Sequence, residues 1–459
     1  MRRGRTIDRA GVTNRAAIRE PLARAVASLV VGAVALAACS TSAPPAPPTG
    51  ASAGQTASTV LAPIRSPTVD LDHTRRQTVA GLIARRAIAL TTKDERAWLA
   101  SVSDLTVPFA ARQAQVFARM TQLPITGYGQ TAVEVGPPLD AARQRALGAD
   151  AWVTTVHLTY ALQGYDRAPR QFTASYTVSR TPTGWGFVDD ADGLTQPQPW
   201  DLSPMTVLRS PTTLVIGSAH LAHLKDYLAL GDAAHKTIAG VWGSARPGVI
   251  VAPATSKELV TALQRDSASG LDQVAAITDG PLDARGMATS DRVYLNPDAF
   301  GRLNGQGRRV VVTHELTHVT VRASTTRAVP LWLSEGFADY VGFSGLGLDP
   351  RAVAADLLTK VRAGAGPTAL PSDTDFDPSR SVIAPVYNAG WLAIGRISST
   401  YGQDRLVAFY RAVAGAAPVD QGRITDPAAN AKAAFPAVLG ISEDAFTADW
   451  LAELRRLAG

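Results

Sequence analysis

Hydrophobic positions first recur at helical spacing. Over residues 75–90 the apolar set Val79, Leu82, Ile83, Ala87 and Leu90 falls every three to four positions, which predicts a helix. Residues 92–102 give a second helical piece. Residues 109–120 give a third, with Phe109, Val116, Phe117 and Met120 on its apolar side. The period then changes to two. Residues 152–162 and 171–180 alternate and are rich in β-branched and aromatic side chains. A Pro/Gly turn at 181–185 leads into Gly186-Phe187-Val188, so a β-meander is expected. Helices followed by a meander predict an α+β unit over residues 69–200.

Gln196-Pro197-Gln198-Pro199-Trp200 marks a joint. Beyond it strand and helix alternate. Strands are expected at 212–217, 249–252, 274–278 and 292–296, helices at 220–241, 256–264 and 308–321, and mainly helix after Leu331. No internal repeat is visible. The fold class that follows is α+β in two domains. The first, 69–200, is a helices-plus-curved-sheet module; the second, 205–459, is a small mixed sheet followed by helices. The order of elements in the first is similar to that of nuclear-transport-factor-2-like domains. That resemblance implies a curved sheet wrapped around a helix.

The chain has 459 residues, 46% hydrophobic and 18% charged, which suits a globular protein of two to three domains and excludes a fibrous or wholly disordered one. Its formal charge of +6 is unevenly placed. Residues 1–38 hold seven Arg against Asp8 and Glu20, and the remainder is nearly neutral. A basic surface for nucleic acid is therefore not expected. The basic run precedes an apolar stretch, residues 25–38, of signal-peptide length and too short to span a bilayer. It ends at Leu36-Ala37-Ala38-Cys39, which resembles the bacterial lipobox. The resemblance implies cleavage of 1–38, a lipid on Cys39 and anchorage to the extracytoplasmic face of the cell membrane. Cys39 is the one cysteine, so no intramolecular disulfide can form. Residues 39–68, rich in Pro, Ser, Thr and Ala, read as a flexible tether.

The strongest chemical signal is His314-Glu315-Leu316-Thr317-His318. On a helix the two imidazoles share a face and can reach one metal ion. Glu315 lies beside them, placed to take a proton from an attacking water. With seven His and eight Glu in the chain, this spelling is expected by chance only about 0.002 times. A catalytic Zn²⁺ takes three protein ligands and leaves one place open. The candidate third ligand is Glu335, in Leu331-Trp332-Leu333-Ser334-Glu335-Gly336, the next glutamate along the chain. Sixteen residues separate it from His318, enough for a loop and the start of a second helix.

At these residues the sequence resembles the gluzincin metallopeptidases, the thermolysin and aminopeptidase N group, over about residues 214–457. The resemblance implies zinc on His314, His318 and Glu335, with Glu315 as general base. It implies that Asp339 holds the first zinc histidine through its other ring nitrogen. It implies that Tyr387, in Tyr387-Asn388-Ala389-Gly390 ahead of a helix at 391–401, donates to the oxyanion; Tyr340 is a rival. In such folds the strand before the metal helix, here 292–296, is an edge that pairs with substrate. The motif by which aminopeptidases grip a free amino terminus is absent: Met287 follows Gly286, but no Glu follows it. His220, His223 and His235 fall in one expected helix without a third ligand and read as surface or core histidines.

The expected function is a membrane-anchored, extracytoplasmic zinc peptidase acting on a peptide or protein. The alternative is a binding or scaffold lipoprotein with an inert or structural zinc fold. Against it stands Glu315, which a structural zinc site would not need. Oligomeric state is not legible in the sequence.

Overall fold

The computed structural model describes residues 67–103, 107–182, 184–377, 382–415 and 426–459. The expected signal peptide, Cys39 and nearly all of the tether lie outside the described residues. The fold is mixed α+β with two sheets.

Three helices come first among the described residues: α1 (Pro67–Thr92), α2 (Glu95–Leu99) and α3 (Val107–Met120). Asp94 starts α2 by accepting from the amide of Ala97. Then follow β1 (Ile125–Val135), α4 (Ala141–Leu147), β2 (Trp152–Leu162), β3 (Arg170–Thr181) and β4 (Gly184–Asp189), an antiparallel sheet in the order β1-β2-β3-β4. In β2, Val156, Leu158, Tyr160 and Leu162 are buried while Thr155, His157, Thr159 and Ala161 between them are less so. That period-two pattern lays one face on Val79, Leu82, Ile83, Trp98 and Phe117 of the helices. The sequence pattern misses β1 and α4. Strand β1 is an edge with two register shifts, Gly127 at φ +62° and no buried residue, so no alternation marks it.

The second sheet comprises β5 (Met205–Arg209), β6 (Thr213–Ser218), β7 (Gly248–Ala252), β8 (Ala276–Asp279) and β9 (Arg292–Leu295), in the order β5-β6-β7-β9-β8. β5 follows a short helix, α5 (Pro199–Leu202), and is absent from the sequence pattern. β6, β7 and β9 run parallel; β5 and β8 are antiparallel edges. The strand at 292–295 is therefore internal, and the edge nearest the metal helix is β8, contrary to expectation. Helix α6 (Leu224–Trp242) joins β6 to β7, and α7 (Ser256–Ala262) follows β7. His223 sits at φ +66°, a left-handed conformation that stops helix propagation. His220 and His223 thus precede α6 instead of sharing its face with His235.

The two sheets share a core. Leu214, Ile216 and Val249 pack with Trp200 and Met205 into the N-terminal cluster, whereas Val215 and Ile250 face the helices on the other side. Successive β6 residues point to opposite faces, so one strand serves both layers. The β2–β3 turn also crosses to the second sheet. Asp166 accepts from both terminal nitrogens of Arg292 at 2.6 and 2.8 Å, with both side chains 1% exposed. Tyr165 donates to the carbonyl of Ser210 at 2.6 Å. Breaking a buried pair strands the surviving charge, at about 3–5 kcal/mol. Asp166→Ala is expected to lower the denaturant midpoint accordingly, and Asp166→Ala/Arg292→Met to recover much of the loss. A single variant as stable as the wild type would show that the pair does not hold the units together.

Helices fill the remainder: α8 (Pro297–Arg302), α9 (Gly305–Arg322), α10 (Leu331–Phe343), α11 (Pro350–Val353), α12 (Ala355–Arg362), α13 (Ala384–Tyr401), α14 (Gln403–Ala414), α15 (Pro427–Ala434) and α16 (Glu443–Ala458). Asn304 caps α9 by accepting from the amide of Gly307 at 2.8 Å. Every α9 residue from Val310 to Val321 is buried, so the helix is central and carries no amphipathic stripe. Helices α10 and α13 touch backbone to backbone. A Cβ on Gly336 would lie 2.5 Å from the carbonyl of Gly390, and one on Gly390 would lie 2.9 Å from the carbonyl oxygen of Trp332. Glycine at both places lets α13 approach the residue next to Glu335.

Candidate metal centre

Helix α9 supplies two imidazoles one turn apart, with His314 Nε2 and His318 Nε2 at 3.0 Å. Helix α10 supplies Glu335, whose Oε2 lies 3.2 Å from His314 Nε2 and 3.4 Å from His318 Nε2. These three buried residues are the one group among the described residues with ligand atoms placed to hold a metal ion. On the same face of α10, Asp339 Oδ1 lies 2.8 Å from His314 Nδ1. An acceptor there keeps the proton on Nδ1 and leaves the Nε2 lone pair for the shared point.

Two features show that the residues fit a small divalent cation. A tetrahedral ion with bonds of about 2.0–2.1 Å spaces its ligand atoms about 3.3 Å apart, close to the 3.0, 3.2 and 3.4 Å found here. Charge is the second. Glu315, Glu335 and Asp339 are all buried with two imidazoles, and that many carboxylates need positive charge nearby. Without a cation it comes from the ring. Burial would lower the pKa of His314, but hydrogen bonds to Asp339 and Glu335 outweigh burial and push it up to about 10. Burial likewise opposes ionisation of Glu335, but the charge of His318 and hydrogen bonds from both rings bring it down to about 2. Burial raises Asp339 despite its bond to His314.

Glu315 stands outside the ligand set. Its Oε2 accepts from Thr278 Oγ1 at 2.6 Å, and its Oε1 is buried without a partner among the described residues. Burial raises its pKa, which suits a base that must both take and release a proton. Tyr387 lies in the opening turns of α13, which begins at Ala384, earlier than its sequence suggests. It stands beside Glu335, and its pKa lies well above the usual tyrosine value through burial and the charges of Glu335, Asp339 and Glu315. It is therefore a neutral donor at the metal group. Tyr340 goes elsewhere, pairing with the Ser398 hydroxyl at 2.8 Å.

The structure thus brings His314, Glu315, His318, Glu335, Asp339 and Tyr387 together and leaves Tyr340 apart. His223 and His220 are exposed and His235 is half-buried, away from any metal-holding group among the described residues. The Arg285–Thr289 stretch lies in the β8–β9 loop, where Ala288 donates to the carbonyl of Arg322 at the end of α9. Sequence reasoning missed Thr278 and Phe376. Phe376 is buried against the Tyr387 ring at 5.2 Å, in the turn Asp373–Phe376. Neither lies in a motif; only the strand pattern at 274–278 hinted at the place of Thr278. Compared with known proteins, the chain matches no family model, no curated protein and no solved structure.

Proposed function

We propose that this protein is a zinc-dependent peptidase of gluzincin type, anchored by a lipid on Cys39 to the extracytoplasmic face of the membrane. The observation that carries the reading is the placement of Glu315. It is adjacent to the His314–His318–Glu335 group, takes no part in it, and has one carboxylate oxygen held and the other without a partner among the described residues.

When bound, a Zn²⁺ ion supplies Lewis acidity, polarising a peptide carbonyl and acidifying a water. His314, His318 and Glu335 hold it, and Asp339 keeps His314 in the ligating tautomer. Glu315 takes the proton of the attacking water through Oε1 and passes it to the departing amine. Tyr387, kept neutral, donates to the oxygen on which negative charge develops.

A second reading is a structural metal site in a binding or scaffold lipoprotein. It is favoured by one observation: all six site residues are buried, from fully enclosed Glu315 to His318, Asp339 and Tyr387 at 3% exposure. Metal analysis of the purified protein, with a peptide library, separates the two. About one zinc per chain with cleavage is the expected result; zinc without cleavage of any peptide would favour the second.

Anchoring is tested separately. No described helix is long and apolar enough to cross a membrane. Cys39→Ser is expected to release the protein from the membrane fraction or leave it uncut. A variant that stays membrane-bound and correctly processed would end the lipid-anchor proposal.

A further inference from the structure

The β2–β3 turn of the N-terminal sheet grips one rung of the ladder beside the metal helix. Asp279 of β8 and Arg292 of β9 are partners across that ladder. The turn and the first residue of β3 together hold both. Asp166 takes Arg292 in the buried pair described above. Arg170 reaches Asp279 Oδ2 at 3.5 Å and donates to the carbonyl of Ser290 at 3.2 Å. The residue before Asp279 is Thr278, whose side chain points to the other face of the strand. There its hydroxyl, 1% exposed, donates to Glu315 Oε2 at 2.6 Å.

Thr278 suits this task. A β-branched side chain in a strand has little freedom at χ1, so the hydroxyl is aimed before any ligand arrives. The glutamate has three rotatable bonds, and Thr278 is the hydrogen-bond partner of its carboxylate found among the described residues. A base displaced by about 1 Å loses on the order of 10²-fold in rate.

We propose that Thr278 is a positioning residue for Glu315, and that the Asp166/Arg170 clamp fixes the strand that carries it. The N-terminal unit is then a working part of the site and more than a spacer. The inference rests on the hydrolase reading given above.

The test uses the full chain. Thr278→Val keeps the shape and removes the donor; Thr278→Ser keeps the donor. Metal content is expected to be unchanged in both. For Thr278→Val, kcat should fall about 10–100-fold with KM within about twofold, and Thr278→Ser should recover to within about fivefold of wild type. Arg170→Ala should lower kcat by about 3–10-fold at constant KM, with partial recovery in Arg170→Lys. Crystal structures of the zinc-loaded wild type and Thr278→Val give a readout independent of turnover: the Glu315 carboxylate should have moved in the variant. Wild-type kcat in Thr278→Val, equal impairment of the Val and Ser variants, or metal loss in Thr278→Val would each overturn the role of Thr278. An unchanged kcat in Arg170→Ala would remove the clamp from the proposal. If the wild type cleaves no peptide, the hydrolase reading fails, and the crystal structures decide on Thr278: a displaced carboxylate supports its role and an unmoved one overturns it.

Discussion

Glu315→Gln is expected to abolish most peptide cleavage while leaving the metal in place. The substitution keeps size and hydrogen-bonding capacity, so Thr278 retains a partner at the position 2.6 Å away. It removes the lone pair that takes the proton. The loss should reach about 10²–10⁴-fold or more in kcat, the scale of a positioned general base. Metal content should stay near that of the wild type, because the ligand atoms belong to His314, His318 and Glu335. Tyr387→Phe should be milder, on the order of 10²-fold, again with metal retained. Steady-state kinetics together with metal analysis check the order. Wild-type cleavage in Glu315→Gln would remove the mechanism even with the metal group intact.

Glu335→Gln is expected to have the largest effect on binding. The carboxylate is the one charged ligand of the group, and both imidazoles lie within 3.4 Å of it. A neutral amide keeps the shape and loses the charge that a divalent cation needs. Zinc affinity should fall by more than the about 10–100-fold expected for Asp339→Asn, which disturbs only the orientation of His314. Competition with a chromogenic chelator measures both. Unchanged affinity in Glu335→Gln would mean that another residue completes the group, and the gluzincin proposal would fall with it.

Much of the fold is legible because burial sets period. Strand β2 buries one face, so its alternation appears in the sequence, and its bounds of 152–162 agree with those expected. Strand β1 buries neither face fully, and its bulges break the register, so no period exists to be read. Strand β5, an edge at the joint, is missed in the same way. The start of α6 is missed for a backbone reason, since the left-handed His223 leaves no mark on hydrophobic spacing.

At the site, the local part is the part that sequence determines. A four-residue spacing on a helix fixes the relation of His314, Glu315 and His318 whatever surrounds them, because one turn of α-helix has one geometry. The relation of Glu335 to Asp339 is fixed for the same reason. What brings the two helices to a common point is packing: α9 enclosed on all sides, and α10 drawn against α13 through Gly336 and Gly390. Only that packing decides that Tyr387 meets Glu335 while Tyr340, on the metal helix's own partner, turns to Ser398. Only the sheet order makes β8 the edge and sets Thr278 against Glu315, 37 residues apart in the chain. No periodicity records such a contact. It is made by two elements folding against each other, and side chains far apart in sequence carry no mark of the neighbour that the fold will give them.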